Sequence, residues 1–468
     1  MGGDQVPHDV YVGCHGDLTG WGGAMIAGRG LAAACREAGL TTLILGVGDR
    51  QASLPAGPDG SASFNLSVNP LPLLWRVHTW CIPRILARQL RGFPPPRVAF
   101  ASFCPFWTVA AKRAWPHVPV LFRFCGLLSN CGPLTRPHDQ KLTLWKRVAD
   151  AGTRAAERQA LRVADRILVP TREHVEEIVA VQPKARGHTQ ESPDGCHQYE
   201  LRPGDRRALR EQLGLTDADF LILLCGSCDR NKAFDHAIRE LGQTDARGKL
   251  AIIGDGPDRP KLERLTRQLG LVDRVHFLGR VPDIAGWYAA ADGVVSTSFY
   301  DTFPNVIKEA MWCGRPVVVP RHDPPRIYAG ISGLLRRERA GLVYDRQTPG
   351  ALAEQLNELI ANGKHASELG ARGQALAERL FRWDDTVRQT CSAAGRSPSG
   401  PTPSAGAATA TPSASESRSG PPGRSAPSET HGRAESEASG PCRGANVAGS
   451  PDGSATPISC DCAPADRR

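Results

Sequence analysis

The sequence predicts an α/β protein made of two Rossmann-like, doubly wound domains in tandem, followed by a disordered tail. Three observations predict it. Short apolar runs alternate with helical patterns twice along the chain, a Gly-rich loop follows the first run, and the last 72 residues lack the material for a core.

The 468 residues suffice for two or three domains of about 100–200 residues each. They are 41% hydrophobic with a mean hydropathy of −0.30, and no apolar run approaches the ~20 residues that span a bilayer. A soluble chain is expected. The opening Met-Gly-Gly-Asp-Gln-Val lacks the basic-then-apolar order of a secretory signal, and Val6 stands where a myristoylation signal needs Ser or Thr. Both points favour a cytoplasmic location. The 14 cysteines are scattered without a disulfide-like framework, so reduced thiols are expected, most of them small core residues.

The first alternation opens with a β-type run at Asp9–Cys14 and a Gly-rich loop at His15–Gly23. A helical pattern over Ala24–Ala38 stops at Gly39, and a second strand covers Thr41–Gly46. Further runs at Val98–Ser102, Val118–Phe122 and Ile167–Pro170, the last after a helical stretch over Lys141–Ala164, continue a parallel sheet. A polar segment over Gln182–Gly204 separates this from the second alternation. Its strands read as Phe220–Cys225, Leu250–Ile253, Val275–Leu278, Gly293–Thr297 and Pro316–Val319, with helices such as Phe234–Leu241 and Arg259–Leu269 between them. One helical stretch covers Ala351–Arg379. The expected layout is therefore a first domain over 1–190, a linker over 191–204, and a second domain over 205–380. A closing helix over 381–396 returns toward the first domain, and the tail runs over 397–468. In that tail 47 of 72 residues are Ser, Pro, Gly or Ala, which cannot offset the entropy of ordering.

The stretch from Ser296 to Val319 carries the chemistry. It reads as a strand, a tight loop, a helix with Pro304 at its first position, and Gly314 as a stop before a buried strand. The N–H groups at such a helix start suit a diphosphate or sugar oxygens, and the carboxylates of Asp301 and Glu309 suit hydroxyl recognition. A sugar nucleotide offers both kinds of group.

The run Asp301–Val319 resembles the acid-x7-acid motif and the Glu-Ala-Met-x-Cys-Gly-x-Pro-Val-Val signature of the family-4 retaining glycosyltransferases, whose fold is GT-B. Further matches follow in order at Gly22-Gly23, Pro193-Asp-Gly195, Gly226 with Lys232, Ile252–Pro257, Arg274–Gly279, Ala340–Asp345 and Phe381-Arg-Trp383. The resemblance covers roughly residues 9–393. It implies transfer of a hexose or N-acetylhexosamine from a UDP- or GDP-linked donor to an acceptor hydroxyl with retention. It also implies no cofactor beyond that co-substrate and no metal.

By the same resemblance Glu309 holds the ribose hydroxyls, and Asp301 with the backbone of Thr302 and Phe303 holds hydroxyls of the transferred sugar. Lys232 pairs with the diphosphate, Gly22 and Gly23 approach it from the first domain, and Arg280 and Val281 lie near the base. The departing phosphate oxygen helps to deprotonate the acceptor, so no enzymic base is required. Three positions depart from the family pattern. Asp301 stands where Glu is usual, and Ser227 stands where Arg is usual, with Arg230 the nearest replacement cation. Phe122-Arg123-Phe-Cys-Gly126 stands where a His before Gly is common, which makes Arg123 the nearest polar candidate for contact with the sugar or acceptor.

Two readings compete with transfer. A nucleotide-sugar epimerase or a phosphorylase uses the same scaffold, and a catalytically weak sugar-nucleotide binder is consistent with Ser227 and Asp301. His15 and Asp17 in the first loop have the chemistry of an acid/base pair, which an inverting reaction would need.

The charge of +9 is confined to the start of the chain, where residues 1–190 hold 22 Lys+Arg against 13 Asp+Glu. Between Gly60 and Pro137 stand nine basic residues and no acidic one. Within it, residues 73–93 mix Trp, Ile and Leu with four arginines, a pattern that fits peripheral contact with an anionic membrane at its inner face, or arginines lying over the domain's own core. An anionic or lipid-linked acceptor fits the same face. Nucleic acid does not, because no recognition module accompanies the charge.

Overall fold

The computed structural model describes residues 8–15, 23–48, 52–54, 62–68, 78–135, 144–202 and 204–395. Gly22, Asp17, residues 73–77 and the tail over 397–468 lie outside the described residues.

The first lobe comprises β1 (Val10–His15), α1 (Gly23–Glu37), β2 (Thr42–Gly48), β3 (Ala52–Leu54), β4 (Ala62–Ser67), α2 (Ile82–Leu90), β5 (Val98–Ser102), α3 (Pro105–Ala114), β6 (Val120–Arg123), α4 (Leu128–Thr135), α5 (Leu144–Val163), β7 (Arg166–Val169), α6 (Arg172–Val181) and β8 (Thr189–Glu191). Its sheet runs β3-β4-β2-β1-β5-β6-β7-β8 and is parallel except for the β3–β4 pair. The second lobe comprises α7 (Asp205–Gln212), β9 (Phe220–Cys225), α8 (Phe234–Leu241), β10 (Gly248–Ile253), α9 (Arg259–Gln268), β11 (Val275–Gly279), α10 (Ala285–Ala290), β12 (Gly293–Val295), α11 (Asn305–Trp312), β13 (Val317–Pro320), α12 (Ile331–Glu338), β14 (Leu342–Tyr344), α13 (Ala351–Ala361) and α14 (Gly363–Leu380). Its sheet is parallel in the order β11-β10-β9-β12-β13-β14. A last helix, α15 (Asp384–Ala393), packs on α1 through Val387 and Cys391.

The strands read as near-continuous apolar runs because both faces of each sheet are covered. Along β9, Leu221, Leu223 and Cys225 enter one core while Ile222 and Leu224 enter the other. The first sheet divides likewise, with Tyr11 on one side and Val10, Val12 and Cys14 on the other. These alternations are the period-2 geometry of a strand.

Two expectations are corrected. The helical stretch over 351–379 is two helices, because Asn362 leaves helical geometry at φ −127°, ψ 80° and its side chain caps α14 by accepting from the His365 N–H. Within the polar segment over 182–204, β8 extends the first sheet beside β7. Pro304 is the N-cap of α11 in extended geometry and not its first helical residue.

The described part of the basic segment, over 78–93, also takes a definite place. In α2 the apolar residues Leu86, Ala87 and Leu90 are buried in the first lobe's core, so that face is not available to a bilayer. Arg84, Arg88 and Arg91 are exposed outside that occupied face. Among the described residues no helix is long and apolar enough to cross a membrane.

Candidate active site

In open α/β sheets ligands bind beyond the carboxyl ends of the strands, where the strand order reverses. In the second sheet that point lies between β9 and β12, which are direct neighbours. The loop leaving β9 carries Gly226 to Lys232, and the loop leaving β12 carries Ser296 to Pro304.

The two loops are joined side by side. Asn231 donates from Nδ2 to the Tyr300 carbonyl at 2.9 Å and accepts from the Tyr300 N–H through Oδ1 at 2.9 Å. Lys232 Nζ reaches Asp301 Oδ2 at 2.5 Å, and the Lys232 carbonyl accepts from Thr297 Oγ1 at 2.7 Å. Both charged side chains stay about one fifth exposed, at 24% and 21%, so the pair remains open to an incoming ligand. Lys232 also packs on Gly226, whose φ of +146° favours glycine; an added Cβ would stand 3.0 Å from Lys232 Cε. A Cβ on Gly254 would lie 1.9 Å from the Gly226 carbonyl oxygen, which ties the β10 loop against the β9 loop.

Glu309 sits on the second turn of α11, 7% exposed, and its Oε2 accepts from the Tyr288 hydroxyl at 2.9 Å. Burial pushes its carboxyl above the ordinary range, against the pull of Tyr288 and of Lys308. Thr302 and Phe303 lie at the start of the same helix, also buried. The structure thus brings Lys232, Asp301, Thr302, Phe303 and Glu309 onto two adjoining elements.

Other predicted residues lie farther out. Ser227 and Arg230 are half-buried in the β9 loop, and the Arg230 Nε is buried without a hydrogen-bond partner. Arg280 is exposed and Val281 half-buried just past β11. Gly23 opens α1. His15 ends β1; its Nδ1 has no partner, and burial holds its ring below the usual pKa. Arg123 ends β6 and is 4% exposed, paired through Nη2 with Asp194 Oδ2 at 2.9 Å. Burial would lower its pKa, but Asp194 together with Cys125 and Cys14 outweighs that and raises it. Its present contacts are therefore with the protein.

The lobes meet at this site. The Tyr300 hydroxyl donates to the Leu127 carbonyl at 2.8 Å, and Thr302 Oγ1 donates to the Cys125 carbonyl. Gly126, between those acceptors, has φ +117°, and an added Cβ would lie 2.3 Å from the Tyr300 hydroxyl. The residues on either side of Asp301 therefore both touch the first lobe. Sequence reasoning missed Asn231, Tyr288 and Tyr300; Asn231 adjoins Lys232, but nothing local marks its bonds to a loop 69 residues away.

The family model described as Glycosyl transferases group 1 matches residues 219–362. The matched stretch lies within the second lobe. Relatives of the chain include D-inositol 3-phosphate glycosyltransferase 2 of Catenulispora acidiphila, 30% identical over 256 residues, which are 52% of this chain and 58% of that protein. D-inositol 3-phosphate glycosyltransferase of Xylanimonas cellulosilytica is 30% identical over 243 residues, 49% of this chain and 57% of that protein. The chain thus spans under two thirds of the length of these curated relatives. Solved structures share the GT-B architecture around the group 1 domain. Anabaena Alr3699/HepE in complex with UDP-glucose aligns with a TM-score of 0.63 at 20% identity, over 82% of this chain and 98% of that one. Sucrose-phosphate synthase from Thermosynechococcus elongatus aligns with a TM-score of 0.64 at 21% identity, over 82% and 97%.

Proposed function

We propose that this chain transfers a hexose or N-acetylhexosamine from a nucleotide sugar to an acceptor hydroxyl, with retention at the anomeric carbon. The observation that carries the reading is the contact of Lys232 with Asp301 at the strand-order switch of the group 1 domain, beside the start of the helix that bears Glu309. Each side chain has a task there. The Lys232 ammonium leaves Asp301 for the donor diphosphate and stabilises the charge that grows on the leaving nucleotide. Asp301, released, accepts hydroxyls of the sugar, while Glu309 accepts those of the ribose. The departing phosphate oxygen takes the acceptor proton as the new glycosidic bond forms on the same face, so the chain supplies orientation and charge.

A neighbour bound to UDP-glucose makes uridine donors the first to try. The first lobe, with nine basic and no acidic residues between 60 and 137, favours an anionic acceptor. Relatives named for D-inositol 3-phosphate make a polyol phosphate the first such acceptor to test. Cytoplasmic action follows from the donor chemistry.

The test is release of free nucleoside diphosphate from a panel of UDP- and GDP-sugars, with and without inositol phosphate, followed by the anomeric configuration of the product. Acceptor-dependent release with retention supports the reading. Formation of an epimer or a sugar phosphate would assign the site to the epimerase or phosphorylase class, and tight donor binding without turnover would make it a binding protein.

A further inference from the structure

Four charged side chains of alternating sign run from the first lobe's sheet to the helix that carries Glu309. Arg123 ends β6; its Nη2 pairs with Asp194 Oδ2 at 2.9 Å, and Asp194 lies in the connection between the lobes. Lys308, on α11, places Nζ 4.0 Å from the same Asp194 oxygen and 3.2 Å from the Gly195 carbonyl, to which it donates. The Lys308 charge in turn acts on Glu309, its chain neighbour. Arg123, Asp194 and Lys308 are 4%, 1% and 0% exposed. Aromatic rings seal the row: Trp383 lies 5.8 Å from the Arg123 guanidinium and would meet a Cβ on Gly195 at 2.5 Å, and Phe303 lies 4.9 Å from Lys308 Nζ. Cys125, beside Arg123 and Asp194, is pushed up to about 11 by burial and so stays a neutral thiol near pH 7.

Asp194 is therefore the one carboxylate on which both buried cations converge, one from each lobe. A buried charge left without its partner is costly, whereas an intact network fixes one arrangement of the groups that make it. We infer that Asp194, with Arg123 and Lys308, is a positioning device that sets α11 against the first lobe and so aligns the donor held by the group 1 domain with the first lobe's half of the site. This rests on the proposed transfer reaction. The proposed donor contacts Lys232, Asp301 and Glu309 all belong to the second lobe, so weakening the row leaves donor docking in place and removes the alignment that turnover needs.

The test uses the full chain with Asp194→Asn and with Lys308→Met, the second keeping the side-chain volume so that the fold is retained if the first variant unfolds. With the donor that the wild type turns over, both variants should lower kcat at least tenfold, while for Asp194→Asn, which leaves the Lys308 charge beside Glu309, the dissociation constant for UDP or GDP changes less than threefold. Arg123→Lys, which keeps the charge but not the fork, should fall between wild type and Arg123→Met. Small-angle scattering reads the same coupling without activity, and a larger radius of gyration is expected for Lys308→Met than for wild type. Folded variants with kcat within twofold of wild type and superimposable scattering would overturn the inference. A wild type with no turnover of any donor removes the proposed reaction instead, and scattering still decides whether Asp194 couples the lobes.

Discussion

Lys232 and Asp301 stand 69 residues apart and meet at 2.5 Å between loops that leave neighbouring strands of one sheet. Because both side chains are part-exposed, the pair contributes little to stability, about 1 kcal/mol or less. The catalytic role proposed for it is far larger in scale. Removing one preorganised group that faces developing charge slows turnover by about 10²–10³-fold. Lys232→Ala should show that loss in nucleoside diphosphate release while its melting curve stays close to wild type. A variant that keeps its rate within a few-fold would leave Lys232 as an ordinary surface partner of Asp301.

Glu309 offers a test in which stability and binding move in opposite directions. Burial raises its carboxyl pKa in the folded chain, so the folded state holds this proton more tightly than the unfolded state does. The sign follows: below the unfolded value of about 4.3 the group costs nothing, and stability is lost as pH rises above it. Glu309→Gln should therefore melt at the same temperature as wild type near pH 4 and at a higher one near pH 8. Donor affinity should fall about 10- to 100-fold, the loss of a charged hydrogen bond or two to the ribose. Parallel melting profiles across this range would show that the carboxylate is better solvated than its burial implies.

Much of this arrangement was legible in the residues. Runs such as Phe220–Cys225 stand out because strands covered on both faces need no polar positions, and the spacing of Asp301 and Glu309 about Pro304 marks a loop turning into a helix. What stayed hidden depends on contacts remote in sequence. Arg123 and Asp194 are 71 positions apart, and only the assembled lobes show that the arginine is already paired. The pattern of α2 is equally blind to what covers it, since a protein core and a bilayer ask for the same apolar face. Asn362 interrupts a periodicity that continues on both sides of it, so α13 and α14 read as one helix. The short edge strand β8 has no buried residue to signal it, and β4 has only two.

Glu177, on α6, gives a second pH dependence, separate from the reaction. Burial pushes it up to about 7, opposed by the Leu127 N–H and the Asn130 side chain, while the Glu157 charge raises it further. The Glu177 charge also raises the pKa of Tyr328. With the folded value above the unfolded one, stability falls between about pH 4.3 and 7, by at most about 4 kcal/mol. Glu177→Gln keeps an oxygen for Leu127 and Asn130 and removes the charge. Urea midpoints should coincide at pH 4 and favour the variant at pH 8; equal midpoints at both pH values would refute the assignment.

The approach of Gly126 to Tyr300 is the most direct lever on the seam between the lobes. At φ +117° any other residue is strained, by about 1–2 kcal/mol, and the alanine methyl would stand 2.3 Å from the Tyr300 hydroxyl. Gly126→Ala must then push Tyr300 away from the Leu127 carbonyl and shift the loop on which Asp301 is the next residue. Both melting temperature and turnover should fall. Tyr300→Phe alone loses one hydrogen bond, about 1 kcal/mol, but in the Gly126→Ala background it removes the atom that the methyl strikes. The double variant should accordingly be more stable than the two single losses predict, with a coupling of about 0.5–3 kcal/mol. Strict additivity in that cycle would mean that the loop carrying Asp301 does not rest on Gly126.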